Sequence, residues 1–122
     1  MIHLDTNYLV GALVPGSLEQ RRVREWLGRD HVAASAVVWA EFLCGPVAHP
    51  DIVAAGTVVG EPVPFTAEDA NTAARLFNRG GRRARSLRDC MIAAAAIGAG
   101  AVLATHNFRD FERFVSEGLV LA

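Results

Sequence analysis

The chain has 122 residues, 52% of them hydrophobic and 20% charged, with no low-complexity stretch; this excludes disorder and suits one domain, residues 1–122, whose core needs neither disulfides nor a structural metal. A formal net charge of −1 excludes phosphate binding by a bulk basic excess, so any nucleic-acid role must come from local charge. All 12 cationic residues are arginine, which excludes enzyme classes that depend on a lysine.

Met1 to Asn7 lacks the basic start and apolar centre of a secretory signal. Ile2 to Leu4 reads as a short strand running into the turn and cap cluster Asp5-Thr6-Asn7, after which Tyr8, Leu9 and Leu13 mark a first helix stopped by Pro15-Gly16. From Ser17 to Gly28, Leu18, Val23, Trp26 and Leu27 recur at amphipathic-helix spacing. Val32 to Ser35 is expected as a second strand and Ala36 to Cys44 as a helix ended by Gly45-Pro46. Pro50 opens another helix that stops by Gly60, Glu61 to Phe65 suggests a third strand, and Thr66 to Asp69 begins a helix reaching about Phe77.

Gly80 to Arg85 is a basic loop, and Ser86 or Asp89 is placed to cap an alanine-rich helix ending near Ile97. Ala101 to Thr105 reads as a fourth strand, followed by a short helix near Asp110 to Phe114 and a last strand at Leu119 to Leu121. Strands alternating with helices predict an α/β fold with a mainly parallel sheet covered on both faces. The longest uncharged run, Cys90 to Phe108, is interrupted by Gly98 and Gly100, so no transmembrane helix is expected. Cys44 and Cys90 lack close-spaced ligand partners and read as buried thiols in a reducing cytoplasm.

Three acids stand in unusual places. Asp5 directly follows the first strand, at the edge where open α/β sheets gather ligands, although a helix cap explains it equally well. Glu41 is the only charge between His31 and His49 and sits among Val37, Val38, Trp39, Phe42 and Leu43. A buried lone carboxylate costs roughly several kcal/mol without a partner or metal, and the competing placement is a wet outer stripe of the helix. Asp89 opens the most apolar helix, where it either interacts with the helix dipole, pairs with Arg88, or joins the other two acids around a hard divalent cation. Beyond the fourth strand, Thr105-His106-Asn107-Phe108-Arg109-Asp110 offers Asn107 and Asp110 as further ligands or as turn residues.

Taken in order, Ile2 to Asn7, Ala40-Glu41-Phe42 ending in Gly45, Leu87 to Ala94 and Thr105 to Phe111 resemble the four signature regions of PIN-domain VapC toxins. The resemblance spans almost the whole chain and implies a PIN-like three-layer α/β/α sandwich with a central, mainly parallel sheet. It also implies an Mg²⁺- or Mn²⁺-dependent endoribonuclease, controlled by a cognate VapB-like antitoxin and paired as a homodimer. Asp5, Glu41 and Asp89 match the family's acidic, metal-holding positions, with Thr6, Asn7, Thr105 and Asp110 in support. Asn107 stands where many members carry aspartate, which leaves a second metal position open. The expected reaction is hydrolysis of an RNA phosphodiester by metal-activated water, with Arg82, Arg83, Arg85 and Arg88 contacting phosphates unless that loop is merely solvated or pairs with acids of the same chain.

Two rivals stand beside this reading. A noncatalytic or degenerate PIN-fold binding module would leave the acids structural. An aspartyl-nucleophile phosphohydrolase would want a second aspartate where Asn7 stands and commonly uses a lysine, which the chain lacks. Among the histidines, only His106 is close enough in sequence to Asn107 to touch the site, while His3 is expected in or beside the core. The helices near Trp26 and Trp39 supply either core or partner contacts.

Overall fold

In the computed structural model, which describes residues 1–122, four short parallel strands carry the fold. They are β1 (Ile2–Leu4), β2 (Val32–Ala33), β3 (Val102–Ala104) and β4 (Val120–Leu121), arranged in the order β2-β1-β3-β4. All of β1 is buried, as a central parallel strand covered on both faces requires. Helices α1 (Thr6–Ala12) and α2 (Leu18–Leu27) join β1 to β2. Helices α3 (Ala36–Cys44), α4 (His49–Val59), α5 (Ala67–Arg79) and α6 (Leu87–Gly98) join β2 to β3. The last connection is α7 (Phe108–Phe111) and a 3₁₀ segment, Glu112–Glu117.

The chain leaves β1 toward β2 on one side and later places β3 on the other, so the strand order reverses between β1 and β3. Right-handed crossovers running in opposite directions lie on opposite faces, which gives the expected α/β/α layering. The same reversal opens a crevice at the carboxyl ends of β1 and β3. Register aligns Leu4 with Ala104, and the Asp5 amide donates to the Ala104 carbonyl at 2.9 Å, so the residues that follow the two strands emerge side by side.

Polar residues start most of the helices as the sequence suggests. Ser17 accepts from the Gln20 amide at 3.0 Å, Ser35 from Val38 at 3.2 Å, and Thr66 and Asp69 form a reciprocal capping box at the head of α5. At α6 the expectation fails: Ser86 occupies the cap position, but its hydroxyl donates back to the Arg83 carbonyl at 2.7 Å and caps nothing. The expected strand at Glu61 to Phe65 also does not form. Pro62 and Pro64 flank Val63 and remove the donors a ladder needs, leaving one parallel bridge between Val63 and Ser35.

One cluster of 25 buried apolar residues fills the interior. Trp26 belongs to it and Trp39 packs against it, so both are core residues. Cys90 is buried as expected, but Cys44 ends α3 in solvent, a correction to the reading of both as buried thiols. Ala93, Ala94, Ala95 and Ala96 are all buried, and their small side chains let α6 lie close to its neighbours.

The tightest of these approaches brings the backbone at Gly98 against Asp69, whose carboxylate would collide with any Cβ built there. Asp69 cannot swing away without breaking the capping box that its other oxygen closes on the Thr66 amide at 3.0 Å. Gly98→Ala should therefore destabilise the fold by about 1–2 kcal/mol, because overpacking and cap loss outweigh the gain in helix propensity. Urea unfolding of wild type and variant checks this, and an unchanged or higher midpoint would contradict it.

Candidate active site

At the crevice between β1 and β3, a cleft of about 280 Å³ is lined by Asp5, Thr6, Asn7, Glu41, Arg88, Asp89 and Asn107, with no apolar side chain. Four separate segments meet there: the junction of β1 and α1, the middle of α3, the first turn of α6, and the turn after β3. Two larger hollows of about 480 Å³ lie elsewhere. The first has two acids in its lining, Glu68 and the capping Asp69, and the second balances Glu25 and Asp30 against Arg22 and Arg29, so neither brings three acids together as the smaller cleft does.

Asp5 is the N-cap of α1 and is buried. One carboxylate oxygen accepts from the Thr6 amide at 2.8 Å and the other from the Thr105 hydroxyl at 2.7 Å. The Thr105 oxygen in turn accepts from the Asn107 amide at 3.0 Å, so one buried hydroxyl positions both residues. The Thr6 hydroxyl donates to Glu41. Glu41 had no cation near it in sequence; the fold supplies Arg88, which forms an ion pair with its carboxylate. Arg88 also lies 4.0 Å from Asp89.

Burial pushes the Asp5 carboxyl above the usual range, and the neighbouring Glu41 charge adds to the shift against the opposing hydrogen bonds. Asp89 is raised as well, first by burial and then by the charges of Asp110 and Asp5, with Arg88 pulling the other way. All the donors are oxygen, the chemistry Mg²⁺ and Mn²⁺ prefer, and Mg²⁺ keeps several waters while using only one or two carboxylates. No three His, Cys, Asp or Glu side chains converge into a compact ligand cluster. Such a cation would therefore bind partly through water, with Asp5 and Asp89 as carboxylate donors and Glu41 available once Arg88 turns away.

The predicted site residues thus divide. Asp5, Thr6, Asn7, Glu41, Arg88, Asp89 and Asn107 share the cleft, and Thr105 lies buried beneath it. Asp110, expected in support, instead lines an adjoining hollow with Arg83, Arg85 and Arg113. Arg82 turns away, donating to Asn78 Oδ1 at 2.6 Å and lying over the Phe77 ring. His106, expected near the site, stacks on Tyr8 and pairs with Glu19 at 2.8 Å, so it faces α1 and α2. Arg113 was missed; its spacing of three residues from Asp110 was the available signal, since a helical turn brings such positions together.

The PIN domain family model matches residues 2–116. The chain belongs to the PIN-domain family. Among solved structures, VapBC2 from Rickettsia felis, bound to a DNA fragment from its promoter, is similar with a TM-score of 0.80 and 22% identity over 100% of this chain and 98% of that one. VapBC-1 from nontypeable Haemophilus influenzae gives 0.73 and 23% over 100% and 97%, and a toxin-antitoxin complex from Klebsiella pneumoniae gives 0.73 and 20% over 91% and 90%. At these identities the likeness establishes the PIN fold alone. No protein of curated function matches the sequence.

Two predictions follow from the geometry of this PIN domain. Thr105→Val keeps the shape but strips Asp5 and the Asn107 amide of a buried partner, which should cost about 1–3 kcal/mol in urea unfolding. The second concerns charge. Asp5 and Asp89 bind protons more tightly folded than at their ordinary 3.8, so their contribution to stability is full below that value and is lost as pH rises through the folded values. At neutral pH both charges oppose the metal-free fold, and Asp89→Asn should raise its melting temperature. The gain should shrink on acidification; a fall in melting temperature at neutral pH would contradict the assignment.

Proposed function

We propose that the chain is a metal-dependent endoribonuclease acting as the toxin of a type II toxin–antitoxin pair, with Mg²⁺ or Mn²⁺ as cofactor. The observation that carries this reading is that Asp5, Glu41 and Asp89, from three elements, line one polar cleft where the strand order reverses. A divalent cation bound there would lower the pKa of a water and offset the negative charge that develops on the phosphate oxygens. Asp5 and Asp89 hold the cation, and Glu41 joins them or orients water. Thr6 and Thr105 fix the two carboxylates that they hydrogen-bond. Asn107 presents an amide to water or substrate without adding charge, and Arg88, released from Glu41, meets a substrate phosphate.

The similar structures that are named as VapBC or toxin-antitoxin complexes support a VapB-like antitoxin partner, and the family resemblance supports a homodimer. No helix is long and apolar enough to cross a membrane, and the proposed site of action is the cytoplasm. An aspartyl-nucleophile mechanism is disfavoured because Asn7 stands where its second aspartate would be and the chain has no lysine. The noncatalytic binding module draws its support from the Arg88–Glu41 pair, which fills part of the cleft with the protein's own cation.

Cleavage of a mixed pool of structured RNAs separates these readings. With Mg²⁺ or Mn²⁺ the wild type should cut, EDTA should stop it, and Asp89→Ala should lower the rate by at least about 100-fold, beyond the usual effect of losing a group that only orients a ligand. If wild type and Asp89→Ala are equally inactive and calorimetry detects no Mn²⁺ binding, the noncatalytic module replaces the ribonuclease.

A further inference from the structure

Arginine-lined ground continues beyond the acidic cleft. A second hollow of about 290 Å³ shares Arg88 and Asp89 with it and adds Arg83, Arg85, Asp110 and Arg113. A third, of about 280 Å³, shares Arg83 and Arg113 with the second and extends past Gly80 to Ser116. Three hollows therefore adjoin in series, and Arg83 and Arg113 are the cations common to the outer two.

Internal pairing sorts the cations along this path. Arg79 is neutralised by Glu117 at 2.8 Å, Arg88 by Glu41, and Arg82 is turned toward Asn78 and Phe77. Arg83, Arg85 and Arg113 form no ion pair, although Asp89 and Asp110 lie near the inner ones. Arg113 is seated by its Nε donating to the Asp110 carbonyl at 3.1 Å and by its guanidinium lying 4.5 Å over the Phe114 ring. Its terminal nitrogens stay available, and the bare Gly80 backbone leaves them room.

The loop itself carries a second sign. Arg82 and Arg85 hold φ of 55° and 67°, a region that favours glycine and that no other non-glycine residue of the chain enters. For Arg82 the partners are Asn78 and Phe77; the Arg85 side chain has no partner in the chain to account for keeping arginine there. Backbone strain of this kind clusters at ligand-binding segments. The acids Asp89 and Asp110 offset part of the positive charge of the middle hollow, whereas the one acid of the outer hollow, Glu117, is spent on Arg79, which favours the outer edge that Arg83 and Arg113 both line.

We infer that Arg83 and Arg113 form a phosphate-binding subsite for an internucleotide phosphate of the RNA strand beyond the scissile one, with Arg85 assisting. This rests on the ribonuclease reading. It gives the substrate a direction: the strand leaves the acidic cleft along α7 toward the end of α5.

The test uses the full chain carrying Asp89→Asn, so that RNA is bound without being cut, titrated by fluorescence anisotropy across a range of salt. The probes are a labelled six-nucleotide RNA and a labelled dinucleotide with one internal phosphate. Arg83→Ala and Arg113→Ala should each weaken hexamer binding about tenfold and reduce its salt slope by roughly one, without changing dinucleotide binding. Arg82→Ala should change neither, and melting temperatures should show that all variants fold.

Equal weakening by Arg82→Ala would reduce the effect to bulk charge and overturn the subsite. So would unchanged hexamer binding, or loss confined to an acidic polyglutamate peptide, which would make the groove a protein-docking surface. A wild type that cuts RNA while Arg113→Ala keeps full hexamer affinity defeats the subsite alone. A protein that binds the hexamer through Arg83 and Arg113 but cuts no RNA defeats the ribonuclease reading and leaves the subsite standing.

Discussion

The hydrogen bond from the Thr105 hydroxyl to Asp5 joins the ends of the two central strands, and the cleft is organised around it. A carboxylate taken out of water costs roughly several kcal/mol unless its oxygens are satisfied. Here one oxygen is satisfied by the α1 backbone and the other by the residue after β3. The pairing depends on the Leu4–Ala104 register, because a one-residue slip would turn Thr105 to the opposite face. The sheet therefore does more than support the site, since its register determines whether Asp5 tolerates burial at all.

Much of this arrangement was legible from the chain. Asp5 lay after an apolar triplet, Glu41 stood alone among large apolar residues, and Asp89 opened a run of alanines; each is a charge in a position that packing alone does not explain. What escaped was whatever depends on side chains meeting across the fold. Arg88 neutralises Glu41 from a different helix, His106 turns to Glu19, and Arg113 approaches the arginine loop from the far side of the sheet connection. The strand expected at Glu61 to Phe65 fails for a different reason: Pro62 and Pro64 carry no amide hydrogen to share, so Val63 makes a single bridge.

Arg88 sets the charge balance of the cleft. With its guanidinium on Glu41, the cluster keeps a cation of its own, which moderates repulsion among acids that burial already places under stress. Arg88 also lines the adjoining hollow, so an outward swing would free Glu41 without taking the guanidinium off the arginine path. Its side chain is 59% exposed, which leaves it free to make that exchange.

The absence of lysine has a chemical consequence outside folding and catalysis. The terminal amine of Met1 is the chain's only primary amine, and it is held by Asp30 at 3.0 Å. Lysine-acylating enzymes and amine-directed reagents consequently have no side-chain amine to modify, and the guanidinium groups remain charged throughout the biological pH range. The charge along the arginine hollows therefore does not titrate, and no change of pH within that range switches it off.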